Sequence, residues 1–369
     1  MLRIFKLLFA CAAALAPQFA SSEDRPGFFS PEFGDFEIRK HTSSLVYTET
    51  DSTNKTVSTD NFGVSYQGRG SGQGITTSFN YNSPHVDNIS MGISLSRSED
   101  RSTNSFASHS GTVNSTSENS AESMSLGLSY LLNDDTIFNA FFLQDHASAL
   151  RQTQKTFHLD LGRKLAPNLR ISGRLGGVID DPLLKNGIKH ISAGIEYRSS
   201  NNFSDASALV DVHSATMTRR SYVSGTATAS EDKFDGIGLA GSFYIKNAKS
   251  RYGIVGTYSQ TNQLGKPRSF SLGPRYIYTG ADIEIMFTAV RKITRMDNVS
   301  TVNGIVDYRD NVSQEILISL TKEFAKEYFI RASMTKRQIE DGNTVLGTTV
   351  DQSLTKNDTV FDLAVIKQF

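Results

Sequence analysis

The chain has 369 residues, with 38 basic side chains against 38 acidic ones and a mean hydropathy of −0.30. A balance this even excludes the basic face of a nucleic-acid binder. One cysteine excludes a disulfide-stapled scaffold, and no second apolar stretch approaches the ~20 residues of a membrane helix.

Residues 1–22 read as a signal peptide. Arg3 and Lys6 supply a short positive n-region, and Leu7 to Ala16 an apolar h-region too short to span a bilayer. Ala20-Ser21-Ser22 offers a cleavage site before Glu23, with cutting after Ala20 as the alternative. Leu8-Phe9-Ala10-Cys11 is only a faint lipoprotein box, because apolar residues continue beyond Cys11. Cleavage before Glu23 removes the only cysteine, so stability must come from hydrogen-bonded structure and burial.

Residues 23–59 carry Phe28, Phe29, Phe33 and Phe36 but no sustained period. They are expected to form a periplasmic or plug-like arm. The rival is an extra hairpin from Phe36 to Thr50.

From residue 60 onward one pattern repeats. Segments of about ten residues alternate apolar and polar, as half-buried strands do. Strands are expected near 60–68, 74–82, 88–98, 123–132, 136–146, 153–164, 168–179, 188–199, 203–214, 234–246, 251–260, 269–279, 282–293, 312–324, 327–338 and 358–369. Short connections such as Asn133-Asp134-Asp135 and Ser200-Asn201-Asn202 alternate with long polar loops near 99–122, 215–233, 294–311 and 339–357. Pro84, Pro167, Pro182 and Pro267 fall in connections, whereas Pro274 lies within a strand and predicts a bulge or local break. Tyr130 and Phe138, Tyr197 and Phe203, Phe243 and Tyr252, and Phe324 and Tyr328 flank short turns, where an interfacial girdle would place them.

The last strand alternates through Thr359, Phe361, Leu363, Val365 and Lys367 to Phe369. This ending resembles the assembly signal of bacterial outer-membrane β-barrel proteins, although Lys367 stands where an apolar residue is usual. Alternating strands and unequal connections resemble the same family over residues 60–369. The resemblance implies a closed antiparallel transmembrane β-barrel with short turns on the periplasmic side, exported to the outer membrane. The barrel should have sixteen strands, with eighteen as the alternative. Expected partners are outer-membrane lipid and lipopolysaccharide, the barrel-assembly machinery (through Phe369) and small hydrophilic solutes. A homo-oligomer is left open.

Sixteen strands enclose a lumen wide enough for water, so the expected function is a porin-like channel for passive diffusion. A surface-display or structural barrel is the alternative, and an outer-membrane enzyme or lipid transporter a third reading. Lumen-lining candidates are Arg170, Arg174, Arg198, Arg275, Arg331, Glu196 and Glu284, set against a hydroxyl-rich wall that includes Gln67, Thr76, Ser78, Asn80, Ser90 and Ser129. Lumenal charges could set selectivity or cancel one another by pairing. Three i,i+2 pairs, His158/Asp160, His190/Ser192 and Asp211/His213, invite catalytic readings but suit a polar wall better. Gly70, Gly72 and Gly74 lack the Lys-Ser/Thr and helix of a phosphate loop. No catalytic residue, metal ligand or cofactor site is expected.

Overall fold

The computed structural model describes residues 42–59, 65–83, 88–108, 111–133, 135–147, 152–179, 187–223, 226–262, 266–301, 304–346 and 350–368. The expected signal peptide, the first part of the expected arm and Phe369 lie outside these residues.

Sixteen strands run β1 (Thr42–Thr59), β2 (Ser65–Asn82), β3 (Ile89–Ser108), β4 (Gly111–Asn133), β5 (Thr136–Ala147), β6 (Gln152–Ala166), β7 (Leu169–Ile179), β8 (Gly187–Ser200), β9 (Ser204–Val223), β10 (Thr226–Lys246), β11 (Ser250–Thr261), β12 (Arg268–Thr279), β13 (Ile283–Thr301), β14 (Gly304–Ala325), β15 (Tyr328–Leu346) and β16 (Val350–Gln368). Each pairs antiparallel with its sequence neighbours, and β1 pairs with β16 from Thr42–Gln368 to Thr59–Asp351, closing the barrel. At ~4.8 Å between strands and ~40° of tilt, the backbone diameter is on the order of 30 Å.

The wall is inverted relative to a soluble core. Ile93, Leu126, Leu175, Ile195, Leu239, Leu272, Ile318 and Phe361 are exposed on the outside, while Ser44, Asn80, Ser90, Ser129, His190, Asp211 and Thr288 are buried on the inside. Strict alternation puts only every second residue against lipid, which explains a polar average composition in a membrane wall. The outward apolar band ends in polar residues on the side away from the short turns: Glu49, Arg97, Glu122, Lys155, Lys189 and Lys336. At the short-turn end the girdle residues Tyr130, Tyr197, Phe203, Phe243, Tyr252, Phe324 and Tyr328 are exposed outward. Lys367 also faces outward there, its Nζ 5.4 Å from the centre of the Tyr328 ring. Two of these turns are shaped by asparagine. Asn201 Oδ1 accepts from the Phe203 and Ser204 amides, and Asn247 Oδ1 from those of Lys249 and Ser250, which fixes a tight reversal locally.

Three expectations require correction. Thr42–Thr59, expected as part of the arm, is wall strand β1. Its outward residues are apolar only at Leu45 and Tyr47 before Glu49, so little alternation marks it. The strands expected at 60–68 and 74–82 are one strand, β2, so the total stays at sixteen. Gly70 and Gly72, left between the two expected strands, and Gly74 are inward positions of β2 over which neighbouring side chains lie. A Cβ on Gly72 would fall 2.7 Å from Ser52 Oγ. Consequently Gln67, expected inside, takes the outer face. Finally, the long loops are largely strand: the β3–β4, β9–β10, β13–β14 and β15–β16 hairpins continue well beyond the apolar band. The described arms of the β3–β4 hairpin, Glu99 to Thr103 and Ser115 to Ser120, are polar on both faces, which hides them from a hydrophobic pattern. Pro274 breaks the ladder as expected, for the β12–β13 pairing skips Gly273 and Pro274.

Candidate functional site

The inner wall is the candidate site, and its most elaborate sector spans β6 to β10. Register aligns Asp160, Arg174, Ser192 and His213 in one row around the barrel, with His158, Gly176, His190 and Ala215 in the next. Arg174 donates from Nε to Asp160 Oδ1 at 2.7 Å and from Nη2 to Oδ2 at 3.1 Å, a two-pronged pair. His158 Nδ1 and His190 Nε2 are 3.2 Å apart, although β7 runs between their strands. Gly176 makes that approach possible, since a Cβ there would sit 2.6 Å from His158 Nδ1 and 3.0 Å from His190 Cε1. Phe141 stacks on His158 at 5.9 Å. His213 Nδ1 lies 3.5 Å from Asp211 Oδ2, and glycines at 236 and 238 leave room for both side chains. The three suspected i,i+2 pairs therefore meet in one cluster. Each alone looked like ordinary wall; the short β6–β7 and β8–β9 turns set the pairing within Asp160–Arg174 and Ser192–His213, and only the β7–β8 register joins the two.

The remaining candidates also take inner-face positions. Arg170 is register-paired with Glu196, and Arg198 Nε donates to Glu196 Oε1 at 2.6 Å. Arg275 donates to Thr288 Oγ1 at 3.1 Å and to the Tyr244 hydroxyl at 3.5 Å, both neutral partners. Arg331 is paired in register with Thr321 and Ala364. Asp362 accepts from Thr48 at 2.6 Å and Ser333 at 3.0 Å. Glu284, between Thr279 and Thr321, is exposed to the lumen. Sequence reasoning gave no special weight to Arg337, which donates to Glu315 Oε2 at 2.9 Å, nor to Lys356, 3.1 Å from Asp358.

Electrostatically the wall divides. β1 to β4 present hydroxyls and amides, with Ser44, Asn80, Ser90 and Ser129 packed down by their neighbours. β6 to β8 and β14 to β16 present ion pairs that join adjacent strands or residues within one strand. Pairs of this kind stay on the wall.

A closed, inverted, sixteen-strand barrel with an aromatic girdle defines a transmembrane β-barrel of the bacterial outer-membrane type. Its fold is similar to that of Pseudomonas aeruginosa OccK8 (OprE), at 9% identity over 88% of this chain and 98% of that one, with a TM-score of 0.45. It is also similar to a Pseudomonas aeruginosa FadL homologue, at 11% identity over 90% and 91% of the two chains, with a TM-score of 0.45. The deltaS2 mutant of the TodX monoaromatic hydrocarbon channel gives 11% identity over 89% and 91%, with a TM-score of 0.47. No protein-family model matches the chain, and no curated protein matches it.

Proposed function

We propose that this barrel is a passive outer-membrane channel for small hydrophilic solutes. The observation that carries the reading is the inner wall: sixteen strands close around it, and its charges are held by neighbours on the wall. Arg174 binds Asp160 on the adjacent strand, Arg337 binds Glu315 in the same way, and Arg198 binds Glu196 within its own strand. Charges tethered along the wall leave the middle of a lumen this wide to water, whereas smaller barrels are filled by side chains. Because most named charges have local partners, the field they project should be weak and the selectivity mild. Arg275, held by neutral groups, and Glu284 are the positions that act most directly on a passing ion. Salt screens such charges over ~10 Å at 0.1 M, so preference should fade as ionic strength rises.

Purified protein in planar bilayers tests this. Stable unitary conductance with a weak ion preference is expected. A barrel that folds, spans the bilayer and stays electrically silent would overturn the channel reading. The tall polar hairpins favour a second reading, surface display; hairpin shortening that abolishes surface binding while conductance persists would support it.

A further inference from the structure

We propose that the inner wall between β6 and β8 seats a divalent transition-metal ion on His158 Nδ1 and His190 Nε2. The seat belongs to the folded wall and stands whether or not the lumen conducts.

The donor geometry comes first. From a point ~2.1 Å from each nitrogen, the usual zinc–imidazole distance, their separation of 3.2 Å subtends ~100°. That lies between the right angle of a square-planar ion and the wider angle of a tetrahedral one, so copper, nickel and zinc all fit. Free of metal, one ring holds a proton and donates it to the other. A metal takes the place of that proton and draws on both lone pairs.

The wall is built to bring these rings together. β7 runs between their strands, and Gly176 is its residue in their row. A Cβ there would fall 2.6 Å from His158 Nδ1 and 3.0 Å from His190 Cε1. The missing side chain leaves the hollow in which the two nitrogens converge. Phe141 stacks on His158 with 22° between the ring planes and restrains that ring's orientation. His158 is half-buried and His190 buried, so an ion enters from the lumen past the His158 ring.

The surroundings suit a cation. Both oxygens of Asp160 accept from Arg174, so this neighbouring pair is neutral overall. Ser192 lies two residues beyond His190 on the same face of β8. It is 4% exposed, and its hydroxyl has no hydrogen-bond partner among the described residues. Water held by the ion on that side supplies one. His213 turns the other way, its Nδ1 toward Asp211 and its Nε2 over Gly236 on β10. Among the described residues no three histidine, cysteine or carboxylate side chains are placed to share a metal. Water therefore fills the remaining positions, and the ion stays exchangeable. Two imidazoles favour transition metals over magnesium and calcium, which take oxygen ligands.

The test uses the full-length protein, purified without a histidine tag, folded in detergent and titrated with copper(II) alone. Electron paramagnetic resonance of the unmodified barrel should show copper bound with two imidazole nitrogens, a readout that depends on no variant folding. Zinc should displace the copper, and excess magnesium or calcium should not. His158→Gln and His190→Gln should each weaken copper binding at least tenfold, since losing even an outer-shell partner costs about that much. His146→Gln, an exposed histidine on the outer face of β5, should leave binding unchanged. Absence of saturable copper binding, a spectrum with fewer than two nitrogen donors, displacement by magnesium, or equal loss in His146→Gln would overturn the proposal.

Discussion

Replacing Ile318 with arginine puts a charge against the hydrocarbon at mid-height. Ile318 lies on the outer face of β14 between Phe287 and Met334 in register, and is 44% exposed. The offset from the girdle residue Phe324, at ~3.3 Å per residue and ~40° of tilt, amounts to ~15 Å along the membrane normal, close to the centre of a ~25 Å apolar band. Arginine at that depth costs ~2–4 kcal/mol. Losing the isoleucine from lipid adds roughly 1.5–2 kcal/mol, for a total of ~4–6 kcal/mol. Leu317 is the matched control. It is one residue away and equally apolar, but half-buried on the inner face between Thr288 and Thr335. Arginine there loses part of a leucine's burial and keeps its head in lumenal water, at ~1–2 kcal/mol. Urea unfolding of protein reconstituted in lipid vesicles, followed by heat-modifiable mobility, should therefore separate Leu317→Arg from Ile318→Arg by about 3 kcal/mol. Equal losses, or the opposite order, would refute the register, since a one-residue slip exchanges the two faces.

Deleting Phe369 should lower outer-membrane yield and raise the periplasmic or degraded fraction, measured by fractionation and immunoblot. Arg174→Gln should leave Asp160 without its charge partner and move bilayer reversal potentials toward cation preference; Asp160→Asn should move them toward anions, because each substitution exposes the surviving charge of one pair. Gly273→Ala should slow folding and lower stability by ~1–3 kcal/mol, read by urea titration in vesicles, because the added methyl would press on the Ala289 carbonyl where β12 and β13 are pinched.

Strands were legible where the chain meets lipid. β14 and β15 alternate Ile316, Ile318, Leu320 and Ile330, Met334 against polar residues because hydrocarbon accepts nothing else on that face. Legibility failed wherever that constraint lapsed. β1 meets lipid over only part of its length, and its upper half, Asp51 to Thr59, is bounded by water on the outer side. The glycine run in β2 interrupted the expected strand because its reason for being, side chains from Asn54 and Ser52 lying across it, comes from another strand. Inner-face positions of the charged candidates followed from the same alternation. Their partners did not: Asp160 and Arg174 flank one turn, but the His158–His190 approach depends on Gly176 and on two turns being counted correctly.

The wall's height is uneven. Eight contiguous strands, β13 to β16 and β1 to β4, are 18 to 23 residues long, while β5 to β8 are 11 to 15. Because the short-turn ends lie level, the surplus accumulates on the opposite rim, where a difference of ~7 residues is worth ~20 Å of height. The strand rim is thus stepped, high along β13 to β4 and at the β9–β10 hairpin, and low along β5 to β8 and along β11–β12. Around a mouth on the order of 30 Å wide, the two low sectors form notches that face sideways over the membrane plane. In the channel proposed above, solutes moving along the membrane surface would meet these notches first, whereas those descending from bulk water would meet the high strands. Direction of approach would then be part of what that entrance filters.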